Sequence, residues 1–265
     1  MASRKEQKEQ ARARRLAEER ARAERAQRER RLRMIGGVVL GAIAVVVVAI
    51  VISSGGGSKA SGLQKGTAAN KTATTVENLL AGIPQSGARL GNPKAPVTMT
   101  YYGDLECPIC QDFTLNGGFP QLVSKDVRSG KVQVVYRAFQ TATRDPAVFK
   151  TQQVAALAAG QQQRFWNFTE LFYRQQGAEG SNYVNESYLA GLAKQIPGLD
   201  ISKWQTDRNN QTLANQVATD EQTGTTAGVN GTPTLVFQGP KGKTAAPSAS
   251  VPDYSQLQQA IKQVT

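Results

Sequence analysis

One uninterrupted apolar segment divides this chain of 265 residues into parts that differ in charge and composition. Residues 34–52 read MIGGVVLGAIAVVVVAIVI, nineteen residues without a charged side chain. As an α-helix that rises about 1.5 Å per residue, this segment measures about 28 Å, close to the roughly 30 Å thickness of a bilayer's hydrocarbon core. The sequence therefore predicts a single transmembrane helix over residues 34–52.

A cleaved signal peptide is the alternative, since Ser58-Lys59-Ala60 loosely resembles a cleavage site. However, the 33 residues before the apolar segment are long for the charged region of a signal peptide, and 19 residues are long for its apolar region. We therefore favour a retained membrane anchor.

Basic residues lie mainly on one side of this segment. Residues 1–33 contain 13 Lys and Arg with 6 Glu, whereas residues 53–60 contain one Lys. The positive-inside rule places residues 1–33 in the cytoplasm, as a solvated charged helix, and everything after residue 52 outside. We expect a single-pass protein of the cell membrane whose C-terminal part is extracytoplasmic. The other basic residues form no runs with interleaved aromatics, so no nucleic-acid partner is expected.

Composition separates two further regions. Residues 53–87 begin SSGGGSKASG and continue with Ala, Thr, Asn and Lys, which predicts a flexible tether with an r.m.s. span of about 30 to 35 Å. Within it, only Val76 to Leu80 hints at a short helix. Residues 88–265 contain the strand and helix patterns of a folded domain.

Within that domain, residues 97–102 (VTMTYY) and 131–136 (KVQVVY) are rich in β-branched and aromatic side chains and predict two strands. A helix between them indicates a right-handed βαβ unit with parallel strands. Residues 146–226 predict a helical subdomain, because apolar side chains recur every three or four positions. Residues 234–237 predict a further strand, and residues 254–264 predict a closing amphipathic helix.

The chain has two cysteines and no histidine, which excludes Ser-His-Asp and Cys-His catalysis and imidazole metal ligands. We expect neither a metal nor a cofactor. The two cysteines form Cys107-Pro108-Ile109-Cys110 at a predicted helix start. There the free backbone N–H groups and the helix dipole favour a thiolate, which predicts Cys107 as the exposed nucleophile and Cys110 as the resolving thiol. Half of a zinc site, a structural disulfide and two inert thiols remain the alternatives.

Four motifs in this order resemble the DsbA-like, thioredoxin-fold disulfide oxidoreductases, particularly the membrane-anchored type of bacterial envelopes. The resemblance covers about 178 residues, and its motifs are LGNPKAPV (90–97), GDLECPIC (103–110), FWNF (165–168) and GVNGTPT (228–234). The implied fold is α/β: a thioredoxin fold with a helical insertion between the second strand and the strand that follows a cis proline.

The resemblance also implies a reaction and its partners. Cys107 and Cys110 would exchange disulfides with reduced exported proteins, and the pair would be reoxidised by a quinone-linked membrane protein of the DsbB or vitamin-K-epoxide-reductase kind. Pro233 would be cis, and the Thr232 backbone would pair with an extended substrate next to Cys107. A disulfide isomerase, a reductase, a tethered peptide-binding module and an envelope scaffold remain alternatives.

This sequence departs from the Cys-Pro-His-Cys pattern of the best-known members, because Ile109 stands in place of the imidazole. Asp104 and Glu106 add negative charge that would oppose a thiolate if they point toward it. We therefore predict that Pro108, Ile109 and Glu106 tune the site. We also predict a Cys107 pKa and a redox potential between thioredoxin-like and strongly oxidising values.

Overall fold

The computed structural model describes residues 62–246 and 251–265. In this part of the chain one mixed sheet has the strand order β1-β2-β4-β3-β5-β6. The strands are β1 (Gln85–Ser86), β2 (Arg89–Leu90), β3 (Val97–Gly103), β4 (Val132–Ala138), β5 (Thr234–Gly239) and β6 (Gly242–Ala245).

The central strand β3 determines where the cysteine motif lies. It pairs in parallel with β4, from Val97 opposite Val132 to Gly103 opposite Ala138. Its other neighbour, β5, is antiparallel, and Tyr102 near the end of β3 lies opposite Thr234 at the start of β5. The segment that follows β3 and the segment that precedes β5 therefore meet at one edge of the sheet.

Helices cover the sheet and form the insertion. They are α1 (Gly66–Leu80), α2 (Pro108–Leu115), α3 (Phe119–Leu122), α4 (Pro146–Gly160), α5 (Phe165–Arg174), α6 (Glu186–Ala193), α7 (Ile201–Asp207), α8 (Gln211–Thr226) and α9 (Tyr254–Val264), with a π-helical turn at Val123–Val127. Helices α2 and α3 and the π-helical turn lie between β3 and the parallel strand β4, so the predicted parallel strand–helix–strand arrangement is confirmed.

Helices α4 to α8 occupy Pro146–Thr226, the segment for which the sequence predicts a helical subdomain, and they lie between β4 and β5 in the chain. Their apolar stripes are buried, as predicted: Leu157, Phe165, Phe168, Phe172, Tyr188, Leu192, Ile196, Leu213 and Val217. The insertion is held to the sheet by a salt bridge in which Arg137 of β4 donates to Asp220 of α8 at 2.5 Å.

The structure corrects the extent of the predicted tether. Residues 66–80 form helix α1, and residues 85–90 add strands β1 and β2 to the sheet. Helix α1 buries one face made of Ala69, Ala73, Val76 and Leu80. Because alanine and polar residues fill the rest of this segment, its composition resembles a linker even though its apolar positions have helical spacing.

The predicted charged helix over residues 1–33 and the predicted transmembrane helix over 34–52 lie outside the described residues. Among the helices that the structure does describe, none combines the length and the hydropathy needed to cross a bilayer.

Candidate active site

The cysteine motif forms the turn between β3 and α2. Cys107 is the N-cap of α2, with extended backbone angles, and Pro108 begins the helix. The Cys107 sulfur accepts a hydrogen bond from the backbone N–H of Cys110 at 3.5 Å. Proline suits the first helical position because it has no N–H to satisfy there and its φ is already helical. The local sequence thus places one sulfur directly at a helix N-terminus.

The two thiols, both free, differ in their acidity. The pKa of Cys107 is lowered to about 7, chiefly by a hydrogen bond from the Cys110 thiol and further by Thr232 and the backbone N–H groups of Cys110 and Ile109, against the opposing effect of burial. Burial raises the pKa of Cys110 well above its ordinary value. Near neutral pH the thiolate therefore forms on Cys107. The Cys107 pKa of about 7 lies at the thioredoxin end of the range that the sequence predicts.

The prediction that Cys107 is exposed is wrong. Its residue surface is 5% exposed, against 0% for Cys110. The Thr232 carbonyl oxygen, 3.4 Å from Cys107 Sγ, is one of the groups that border this buried sulfur.

Thr232 and Pro233 lie where the sequence predicts them, next to Cys107. The peptide bond between them is cis, and both residues are partly exposed. The Cys107 thiol donates to the Thr232 carbonyl, which shows that this carbonyl is directed at the reacting sulfur. The predicted pairing of the Thr232 backbone with an extended substrate remains a prediction.

Ile109 and Glu106 flank the cysteines in opposite environments. Ile109 is 48% exposed and stands out as a large exposed hydrophobic side chain in the described part of the chain. Glu106 is buried, and this burial raises its pKa. It lines a pocket of about 280 Å³ together with Thr143, Arg144 and Asn182. Glu106 does not appear among the groups that dominate the Cys107 pKa shift.

Asp104 is fully buried, and its carboxylate accepts hydrogen bonds instead of facing the sulfur unpaired. Its Oδ2 accepts the backbone N–H groups of residues 141, 142 and 143, each at 2.9 Å. Its Oδ1 accepts the Glu106 N–H at 3.0 Å and the Thr143 hydroxyl at 2.6 Å. The sequence indicated the negative charge of Asp104 but gave no sign of this donor shell.

Buried tyrosine hydroxyls form hydrogen bonds to the backbone around the cysteine motif. The Tyr101 hydroxyl lies 3.3 Å from the Cys110 carbonyl, 3.1 Å from the Thr114 hydroxyl and 3.5 Å from that of Tyr173. The Tyr173 hydroxyl in turn donates to the Asp104 carbonyl at 3.3 Å. Sequence reasoning placed Tyr101 in a strand and did not single out Tyr173. Their hydroxyls fix the backbone that carries both sulfurs.

No group of three or more His, Cys, Asp or Glu side chains in the described ranges is arranged to hold a metal ion. What the arrangement can do is thiol chemistry, since it pairs an acidic thiol at a helix N-terminus with a buried thiol one turn away. In this mixed sheet the Cys107–Cys110 motif follows the central strand and lies beside a loop with a cis proline. These features define the class of thioredoxin-fold dithiol proteins.

A sequence model of the thioredoxin family matches residues 85–263, and the chain belongs to that family. A relative from Bacillus anthracis named "Probable disulfide bond formation protein D" is 26% identical over 179 residues, which are 65% of this chain and 75% of that protein. "Disulfide bond formation protein D" of Bacillus subtilis is 26% identical over 183 residues, or 65% of this chain and 74% of that protein.

Among solved structures, oxidised BdbD from Bacillus subtilis has a TM-score of 0.57 and 21% sequence identity, and the match covers 69% of this chain and 96% of that one. At this identity the likeness concerns the fold. Together with the sequence relatives it confirms the predicted DsbA-like thioredoxin fold and the class of thiol–disulfide oxidoreductase.

Proposed function

We propose that this protein is a membrane-anchored protein disulfide oxidase that introduces disulfides into exported proteins outside the cytoplasmic membrane. The observation that carries this proposal is the placement of the two thiols: Cys107 caps the N-terminus of α2 and accepts the Cys110 N–H, while Cys110 is fully buried one turn further on. This placement lowers the pKa of Cys107 to about 7 and raises that of Cys110. A stabilised Cys107 thiolate is a good leaving group and makes the corresponding disulfide more oxidising. The names of the two Bacillus relatives support the oxidative direction.

The reaction consists of two exchanges. A client thiolate attacks Cys107 Sγ, a client–Cys107 bond forms, the Cys107–Cys110 bond breaks, and the Cys110 thiolate that leaves takes up a proton. A second client thiolate then attacks the client sulfur of the mixed disulfide and expels the Cys107 thiolate. The client loses two electrons and becomes a disulfide, while the Cys107–Cys110 pair gains them. A quinone-linked membrane protein of the DsbB or vitamin-K-epoxide-reductase kind would remove these electrons.

The client backbone would lie along Thr232 and Pro233, because the Thr232 carbonyl borders the reacting sulfur. Extended peptides bind in this way by adding a short strand to existing backbone. The exposed Ile109 side chain would contact apolar client residues beside the cysteine.

The extracytoplasmic location rests on the sequence: the apolar segment 34–52 and the basic residues that precede it. To test it, Lys94→Cys is introduced at an exposed position of a variant that lacks Cys107 and Cys110. A thiol reagent that does not cross membranes should label Lys94→Cys in intact cells. Labelling that requires cell lysis would refute the proposed orientation.

Trapping tests the chemistry. In the Cys110→Ser variant the resolving thiol is gone, so exported proteins should accumulate as mixed disulfides on Cys107, identifiable by mass spectrometry. The matched Cys107→Ser variant should trap none. A tethered peptide-binding module predicts instead that Cys107→Ser retains full function in cells.

A reductase is the second candidate, since a Cys107 pKa of about 7 equals that typical of thioredoxin. Equilibration of the Cys107–Cys110 couple with glutathione distinguishes the two directions. The oxidase requires a potential well above the roughly −270 mV of thioredoxin. A value at or below that level would establish the reductase.

A further inference from the structure

Asp104 connects two separate segments of the active site. Its carboxylate is fully buried and accepts five hydrogen bonds, three of them from the backbone N–H groups of residues 141–143. The other two come from the Glu106 N–H and the Thr143 hydroxyl. A buried carboxylate requires such partners, because an unpaired charge in the interior is costly. The donor shell therefore fixes the loop after β4 against Asp104.

The same residue bonds the cysteine turn. The Cys107 N–H donates to the Asp104 carbonyl at 3.1 Å. The two segments meet because β3 and β4 are parallel and end at the same edge, with Gly103 opposite Ala138. Asp104, directly after β3, thus holds the loop after β4 beside Cys107.

Thr141 extends this connection to the loop that precedes β5. Its hydroxyl oxygen lies 2.5 Å from the Thr232 hydroxyl oxygen. The Thr232 carbonyl oxygen lies 3.4 Å from Cys107 Sγ. A continuous series of contacts therefore runs from Asp104 through Thr141 and Thr232 to the reacting sulfur. Thr141 itself is exposed, so no packing requirement accounts for its hydroxyl.

We propose that Asp104 and Thr141 are positioning residues for disulfide exchange: Asp104 fixes the loop 141–143, and the Thr141 hydroxyl holds Thr232 beside Cys107. Both act through Thr232, which borders the sulfur. The inference requires exchange at Cys107 but not a particular direction of electron flow, so it is independent of whether the protein is an oxidase or a reductase.

The decisive variant is Thr141→Val in the full-length protein, kept in mild detergent. Valine preserves the shape of threonine but cannot bond the Thr232 hydroxyl. Because Thr232 is one of the groups that lower the Cys107 pKa, the pH midpoint of Cys107 alkylation by iodoacetamide should rise. The KM for a reduced cysteine peptide should rise about twofold to tenfold, the equivalent of one hydrogen bond.

Two controls separate positioning from a general structural effect. Thr141→Ser keeps the hydroxyl and should restore the wild-type midpoint and KM. Thr219→Val removes an exposed hydroxyl that bonds only the Asn215 carbonyl of its own helix, and it should change neither quantity. If Thr141→Val matches the wild type in both measurements while Cys107 still exchanges, the proposal is overturned and the proposed function stands.

Asp104→Asn tests the start of the series. The amide replaces one acceptor oxygen by a donor, which would face N–H groups of the loop 141–143. This variant should raise the pH midpoint of Cys107 alkylation, as Thr141→Val does. The double variant should raise the midpoint little beyond the value for Asp104→Asn alone. Additive effects would show that the two residues act separately and would overturn the series. If Asp104→Asn does not fold, the Thr141 pair still decides.

Discussion

The Cys107 sulfur lies 3.4 Å from the carbonyl oxygen of Thr232, a residue 125 positions further along the chain. Antiparallel pairing of β3 with β5 produces this proximity, since Tyr102 lies opposite Thr234. The contact also means that a backbone acceptor borders the reacting sulfur.

The pH dependence of alkylation should reveal which thiol ionises first. In the reduced protein we expect iodoacetamide to modify Cys107 with a midpoint near pH 7, because hydrogen bonds stabilise its thiolate. Cys110 should remain unmodified over the same range, since burial raises its pKa. Rate measurements with peptide mass mapping check both points. A midpoint near the ordinary value of about 8.5 would contradict the assignment.

Removal of the second thiol should make the first less acidic. The Cys110 thiol is the largest contributor to the lowered Cys107 pKa, so Cys110→Ala should move the alkylation midpoint of Cys107 above 7. Cys110→Ser keeps a donor at the same position and should move it less. Equal midpoints in Cys110→Ala and wild type would show that the backbone N–H groups alone stabilise the thiolate.

The same shift links stability to pH in the reduced protein. The Cys107 pKa is about 7 in the folded state and about 8.5 in an unfolded chain, so folding gains free energy above pH 8.5 and loses it as the pH falls through 7. We expect the free energy of unfolding to rise by about 1.5 kcal/mol between pH 6 and pH 8.5 through this group. Denaturant unfolding at several pH values measures it.

The oxidised protein provides the control, since neither sulfur titrates in a disulfide. Its free energy of unfolding should lack this rise. Measurements should stop near pH 8.5, because the raised Cys110 pKa acts with the opposite sign above that value. Identical pH profiles for the two redox forms would show that Cys107 has the same pKa folded and unfolded.

The sequence sufficed for the central elements and the reacting groups. Strands β3 and β4 are marked by β-branched and aromatic runs, and the cysteine motif between them identifies α2. The sequence indicates only the end of helix α1, because its buried face includes two alanines, which carry little hydrophobic signal. The exposure of Cys107 was mispredicted because its cover, Thr232, comes from a distant segment.

The supporting residues could not be inferred from sequence for a related reason. Thr141 lies in a loop with no local pattern, and its relation to Thr232 depends on how β4 and β5 end in space. Asp104 is visible as a charge, but its donors are mostly backbone N–H groups, which every residue has. Only the folded structure shows that a loop supplies the hydrogen bonds to this charge.

The C-terminal helix α9 is hydrogen-bonded to one buried carboxylate from a segment more than 120 residues earlier in the chain. Asp126, in the π-helical turn, accepts the Tyr254 hydroxyl at 2.9 Å and the Gln258 amide at 2.8 Å. Asp126→Ala would leave these two donors of α9 without their acceptor, so we expect a loss of about 2 to 4 kcal/mol in the free energy of unfolding. Denaturant titration measures it, and the alkylation midpoint of Cys107 should stay unchanged, since neither donor belongs to the active site. A shifted midpoint with unchanged stability would instead connect α9 to the chemistry and contradict its role as a structural anchor.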